Sequence, residues 1–501
     1  VVSSSAKTLV RTIPAETVVF SSVAILTGFL VVSSGWKGVM VAGAVLAILG
    51  LCAWCILSFR GWLYACVVAT LVIPPFYPAA LGGEIPIYVC NFVLLIGFVT
   101  LLVRYQEFRL LPDPVSRASF LFLISLLVSL PFAYWISGAS VARQSLLRLL
   151  LILQPFFVYV WIRGFPCFES MAQLERFVKL LLWLGAGAAI YGIVDFYYPI
   201  PIPHPFADQY IYLDFEHIRR AQGMLYEASS FGNLCAFFLS LSLCLLFGRQ
   251  RLSNRYRASL CLGTGIFTMA VFLSYSRGSW AAVMVAVSIF LVVQRQLRPR
   301  IVFLLLAILA IFVYLVYQLS PDVVANFFSW RLGNLAEFWQ DPDSATSGRW
   351  RSWTMLLQFF AERLWLLLFG IGYKTIPSTD LFGKSIVADN GYLSLLFETG
   401  ILGFAAFAWL NLAILKTLRD QGQAPSLFYR LCRTFLFAFW CGEMVQMLTG
   451  DIFTYWRNLT VLFAMIAAVQ VMDPSPVWSA ATPVRSSGSS EGLGGLRDQF
   501  G

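Results

Sequence analysis

Charge is scarce in this 501-residue chain. Only 12% of its residues are Asp, Glu, Lys or Arg, 59% are apolar, and the mean hydropathy is +0.77. A soluble domain has about 45–50% apolar and about 25% charged residues, so a soluble globular chain is excluded. Histidine is scarcer still, at two residues, which excludes a multi-histidine metal site. The ten cysteines are scattered, mostly inside apolar runs. Cys52 and Cys55 stand close together within one such run, and neither a disulfide framework nor a metal cluster is expected from them. Period-two alternation is missing and the apolar runs are too long for barrel strands, which argues against a membrane β-barrel. No internal repeat is visible, which disfavours an inverted-repeat transporter. The formal charge of +10 is no sign of nucleic acid, because Lys and Arg sit in short loops between apolar runs rather than in one basic domain.

What is present is a series of apolar runs, each long enough to approach or cross a hydrocarbon core of about 30 Å. They predict an all-α polytopic membrane protein of about 14 transmembrane helices, with one large periplasmic loop bearing amphipathic helices. Residues 1–319 are expected to hold helices 1–11 and residues 391–472 helices 12–14. Between them lies the loop, 320–390, and residues 473–501 read as a disordered cytoplasmic tail. The first run follows Lys7 and Arg11 without a convincing cleavage site and is read as a retained span. Basic residues such as Arg249, Arg251, Arg255, Arg257, Arg430 and Arg433 fall in short loops on one side. That bias puts both termini in the cytoplasm and the long loop outside. Within the loop, "GRWRSWTMLLQFF" places Trp350, Trp353, Leu357 and Phe360 on one face of a helix lying at the interface. Joining it to "RLWLLLFGIGY" as a further span is rejected, because Glu362 and Arg363 would sit at mid-depth.

Four polar constellations fall on the external side. "RRAQGMLYEASSFGN" carries Arg219, Arg220, Gln222 and Glu227, and serves either as an interfacial anchor and helix cap or as planar guanidinium donors to phosphate. "LSYSRGSW" sets Arg277 at the turn between two spans, where it either snorkels or meets an anionic partner. "SGRWRSW" holds Arg349 and Arg351. "DNGYLSLLFETGILG" opens a span with Asp389 and Asn390, one of which caps it, and carries Tyr392 and then Glu398 inside it. Glu443, Asp451 and Arg457 gather near the end of the penultimate span. An external cavity rich in arginine suits a pyrophosphate-bearing lipid, and a nearby carboxylate suits removal of a proton from a sugar hydroxyl. A transporter of anionic solute or lipid-linked oligosaccharide, and an assembly scaffold, are the rival readings.

From Arg219 to Gly403 these motifs, with "LLFGIGYKT", resemble the O-antigen ligase and O-antigen/exopolysaccharide polymerase superfamily of type-C-like membrane glycosyltransferases. The resemblance implies an enzyme of the bacterial inner membrane, active at the periplasmic face, whose substrate is an undecaprenyl-diphosphate-linked glycan. It implies metal-independent transfer, without cofactor, by one inverting displacement onto a hydroxyl. The acceptor is a second lipid-linked repeat in a polymerase, and lipid A core or another acceptor in a ligase. Carried over, Arg219, Arg220, Arg277 and Arg349 contact diphosphate, with Arg277 and Glu398 also in the catalytic set. Relatives commonly carry His-Asn where this chain has Asp389-Asn390. Asp389 is then the candidate base, with His217 or His204 as possible substitutes, and the missing histidine tilts the reading toward a polymerase. Glu227, His217, Trp350, Trp353 and Tyr392 are expected to contact glycan or acceptor. The implied partners are membrane lipid, the lipid-linked oligosaccharide, a chain-length regulator and a flippase of the same pathway, and not nucleic acid.

Overall fold

A computed structural model describes residues 48–76, 87–109, 113–200, 210–212, 217–248, 252–295, 339–346, 349–382, 386, 388–419 and 426–473, with isolated positions between 314 and 321. Both termini, the apolar run at 17–34, all but isolated positions of the run at 300–319, His204 and the tail from 474 onward lie outside the described residues.

Among the described residues the regular structure is helical apart from a short antiparallel hairpin of β1 (Tyr210–Tyr212) and β2 (His217–Arg219) and one isolated bridge between Phe76 and Ile87. The helices are α1 (Ile48–Leu57), α2 (Phe59–Val72), α3 (Val89–Val103), α4 (Pro114–Gly164), α5 (Met171–Tyr197), α6 (Ala228–Phe247), α7 (Asn254–Leu273) and α8 (Arg277–Val293). After the long loop's α9 (Arg349–Ala361) come α10 (Gly391–Arg419), α11 (Leu427–Gln446) and α12 (Trp456–Val471). Among the described residues six helices are long and apolar enough to cross a membrane. The expected count of fourteen is therefore corrected. The runs at 61–80, 87–104 and 279–294 form helices of 14, 15 and 17 residues, shorter than the roughly 20 that a span needs. The run at 429–449 forms α11, whose Arg430, Arg433 and Glu443 make it too polar to qualify on composition.

Two of the six are folded on themselves. A straight helix of 51 residues would measure about 75 Å. Yet in α4 the rings of Phe122 and Phe156 lie 6.1 Å apart, and the Tyr159 hydroxyl donates to Asp113 at 2.8 Å. The reversal is at Gly138, with φ 86° and ψ 174°, a conformation costly to any residue with a Cβ. α10 breaks in the same way at Gly400, with φ 69° and ψ −173°. A short arm, 391–399, thus precedes the longer arm 401–419. The sequence motif read as the start of one span is instead a short helix that stops inside the protein.

The chain's ends of α4 and α12 share a polar cluster, where Asp113 caps α4 through the Val115 and Ser116 amides and Tyr159 reaches Gln470. At the other end, the Gly138 turn, the start of α8 and the start of α10 meet the loop. The main apolar core lies between these ends, built from α1–α8 and α10–α12. A second small core belongs to the loop, where Leu356, Phe360, Leu366, Ile371, Ile376 and Phe397 pack together. Glu362 and Arg363 are solvent-exposed at the end of α9, so the segment they separate is not a span.

Candidate functional site

The short arm of α10 ends with carbonyls that no later turn of helix can satisfy. The "GIG" turn supplies the donors: Ile371 N–H bonds to Phe397 O at 3.0 Å and Gly372 N–H to Glu398 O at 2.9 Å. Glycine is required on both sides of this contact. A Cβ on Gly370 would stand 2.3 Å from Glu398 O, and one on Gly400 would stand 2.3 Å from Leu368 O. The backbone then turns through Lys374, itself left-handed at φ 56°. Lys374 Nζ hydrogen-bonds to Asp451 Oδ2 and, at 2.9 Å, to Thr454 Oγ1. Glu398, 2% exposed, accepts from the Ile376 amide at 3.3 Å. The two motifs "LLFGIGYKT" and "DNGYLSLLFETGILG" thus form one unit that sets a lysine beside two carboxylates.

At the other end of the short arm, Asn390 Oδ1 accepts from the Leu393 amide at 3.0 Å and caps the helix. The Gly391 amide donates to Met447 O and Gly450 O, which fixes the junction against the end of α11. Asp389 is left outside the helix at φ 44°, a conformation Asp tolerates better than most residues. Its Oδ2 accepts from Arg349 Nε at 3.0 Å, and an Nη of the same guanidinium lies 3.0 Å from it in an ion pair. Trp353, one turn along α9 from Arg349, donates its indole N–H to Ala388 O at 2.5 Å. α9 therefore holds the Ala388–Asp389 backbone from one side while Arg349 holds the carboxylate.

These residues open onto a cavity of ≈ 450 Å³. Its charged lining is Arg148, Arg220, Arg349 and Lys374 with Glu227, Asp389, Glu398 and Asp451. Arg220 Nε donates to Ser274 O at 2.9 Å and an Nη donates to Ser229 Oγ at 3.3 Å, tying the loop before α6 to the α7–α8 turn. Burial pushes the Arg220 guanidinium below its usual pKa, and the Glu227 carboxylate opposes the shift. Glu227 also caps α6, accepting from the Ser229 amide at 2.9 Å, so its capping and cavity-lining roles coexist.

Several predicted site residues stand apart from this lining. Arg219 is engaged by Asp195 at 3.3 Å and by the carbonyls of Asp195 and Phe196, anchoring β2 to the end of α5. Arg277 begins α8, after the turn Ser274–Tyr275–Ser276, and shares the electrostatic field of Arg349 without lining the cavity. Tyr392 turns to α11, donating to Met444 O at 2.6 Å. Trp350 stacks obliquely on Trp353, with centroids 6.3 Å apart, and is largely exposed. His217 lies in β2, paired in register with Tyr212. Of the trio near the end of α11, only Asp451 lines the cavity. Glu443 is buried against Asn233 at 2.7 Å, and Arg457 donates to Thr70 O, Ile73 O and Met224 O.

Lys374 and Arg148 were not anticipated as site residues. Lys374 could have been suspected from its place two residues after the Gly370–Gly372 turn. Arg148 lay inside an apolar run and gave no local signal. Among the described residues no group of three or more His, Cys, Asp or Glu could hold a metal ion, and all ten cysteines are free thiols.

Residues 262–408 match the family model described as O-Antigen ligase. That segment, which contains Arg277, Arg349, Lys374, Asp389 and Glu398, carries the domain of that family within a polytopic membrane protein. The motif around Arg219–Asn233 precedes the matched residues. No curated protein matches the chain.

Proposed function

We propose that the cavity transfers a glycan from undecaprenyl diphosphate to an acceptor hydroxyl, as an O-antigen ligase does. The reading rests on Arg220, Arg349 and Asp389 lining one cavity at the ends of membrane helices, with Arg349 and Asp389 inside the family-matched segment. Guanidiniums offer forked donors to phosphate oxygens. Arg220 and Arg349, with Arg277 behind them, hold the diphosphate and stabilise the charge it gains as its bond to C1 of the sugar breaks. Asp389 takes the proton of the acceptor hydroxyl while that oxygen forms the new bond to C1 from the opposite face. One displacement inverts the anomeric centre, and the diphosphate leaves on its lipid.

A polymerase differs only in its acceptor, a second lipid-linked repeat. Asp389-Asn390, standing where the resemblance places His-Asn, favours that second reading. The transporter reading is disfavoured because Arg220, Glu227, Arg349 and Asp389 of the lining sit in loops and at helix starts on one side. A single assay decides: purified protein in nanodiscs with the host's lipid-linked repeat, its products resolved by chain length. Lengthening supports the polymerase, and transfer only to a distinct acceptor supports the ligase. Neither product with any acceptor overturns the enzyme reading.

A further inference from the structure

Of the cations that line the cavity, Arg220, Arg349 and Lys374 are already engaged by the protein. Arg349 is paired with Asp389, Lys374 is bonded to Asp451 and Thr454, and Arg220 donates to Ser274 O and Ser229 Oγ. Arg148 differs. Among the described residues it makes no hydrogen bond or ion pair, so all five of its N–H donors are open to a ligand.

The place of Arg148 on α4 bears on what that ligand is. Ser145, one turn earlier, is buried and donates to the carbonyl of Tyr373, the residue before Lys374. That side of α4 therefore faces the loop and the cavity. Leu146, Leu147 and Leu150 are exposed and form the side turned to the bilayer. At about 100° per residue, Arg148 lies about 60° around the helix from Ser145 and about 100° from Leu147. It is exposed and lines the cavity, so it stands at the seam between cavity and lipid. A guanidinium beside lipid-facing leucines is costly unless a polar cavity or an anion receives it. A soluble anion has no need of that seam. A diphosphate carried on a polyprenyl chain must cross it, because its head belongs in the charged cavity while its tail stays in hydrocarbon. We infer that Arg148 marks a lateral opening of the cavity to the bilayer and there binds the diphosphate of a polyprenyl-linked donor, its planar fork on the phosphate oxygens. The inference rests on the transfer reading above and adds to it a binding residue outside the family-matched segment.

The test uses full-length protein in nanodiscs of neutral lipid, titrated with farnesyl diphosphate and, separately, with inorganic pyrophosphate. Transfer kinetics are measured with the host's lipid-linked repeat. Arg148→Gln should weaken farnesyl diphosphate binding about tenfold or more, the scale of a lost charge-assisted hydrogen bond. KM for the lipid-linked repeat should rise by a similar factor with kcat within about twofold of the parent, the pattern of a lost binding contact. An unchanged melting temperature shows that the variant is folded, and Arg148→Lys should recover part of the affinity. Leu147→Ala, on the lipid-facing side, should leave both affinity and kinetics as in the parent. If Arg148→Gln binds farnesyl diphosphate as the parent does, the arginine only snorkels to the interface and the inference is overturned. Weakened pyrophosphate with farnesyl diphosphate unchanged would assign the contact to a soluble anion and overturn it equally. A parent that binds farnesyl diphosphate through Arg148 but transfers no glycan would instead overturn the transfer reading and leave this contact standing.

Discussion

Two nitrogens of Arg349, Nε and one Nη, each lie 3.0 Å from the same oxygen of Asp389, Oδ2. The pair orients the carboxylate and commits one oxygen to the guanidinium, leaving Oδ1 to receive a proton. Asp389→Asn keeps the size and the Arg349 contact but removes the base. Turnover should fall about 10²- to 10⁴-fold, the range typical of general bases, with pyrophosphate affinity in calorimetry at or above that of the parent. Near-normal turnover in this variant would mean that another group takes the proton.

Neighbouring arginines should behave oppositely. Arg219 pairs with Asp195, whose side chain is 1% exposed, and Arg219→Ala would leave that carboxylate buried and unpaired. Breaking such a pair costs about 3–5 kcal/mol, so the thermal midpoint should drop markedly. Arg220→Ala removes a guanidinium from the cavity wall and should weaken pyrophosphate binding about tenfold or more. If both variants lose only stability, Arg220 is a structural tie between Ser274 and Ser229 and not a substrate contact.

The contrast between these two residues shows what was legible in the sequence. Composition gave a helical membrane protein, and the motif series pointed to a charged external site containing Arg220, Glu227, Arg349, Asp389 and Glu398, all of which line one cavity. Span counting failed where apolar runs form helices of only 14 to 17 residues and where a glycine breaks a run read as one span. Gly138 falls between the two runs read at 118–136 and 145–162, so the two arms of α4 were counted separately, whereas Gly400, at φ 69°, lies inside the single run read at 391–415, where hydropathy cannot distinguish a broken helix from a continuous one. Sequence distance also hid Arg148, which reaches the cavity only because α4 folds back beside the loop. The face of α9 was misjudged by one position. Phe360 is buried as expected, but its partner is Leu356, while Leu357 and Trp350 face outward, because the loop supplies a core of its own.

Gly400 is the more informative of the two reversals. Ala at this position would take a conformation that costs about 1–3 kcal/mol for a residue with a Cβ. The added carbon would also stand 2.3 Å from Leu368 O. Gly400→Ala should therefore yield less folded protein and a lower melting temperature, read by size-exclusion chromatography after heating. Gly187→Ala is the control, since a Cβ there meets nothing within 4 Å. Equal melting temperatures for the two variants would show that the reversal at Gly400 is not needed for folding.

The last prediction concerns how the loop is held over the cavity. Phe360 and Phe397 stack with ring centroids 4.2 Å apart and planes at 20°. Phe397 immediately precedes Glu398, so this contact links α9, which carries Arg349, to the short arm that carries Glu398. Phe360→Ala removes a buried ring at a cost of about 3–5 kcal/mol. The loss falls on the small core under the loop rather than on the main core between the helices. Limited proteolysis should then cut the 349–382 segment faster, while detergent-solubilised protein still elutes as a folded species. Turnover should fall with it, because Arg349 and Asp389 lose their fixed relation. Leu357→Ala, one residue from the buried face and 53% exposed, should change neither cleavage nor turnover. Equal protease sensitivity in the two variants would show that the stack on Phe397 does not anchor the loop.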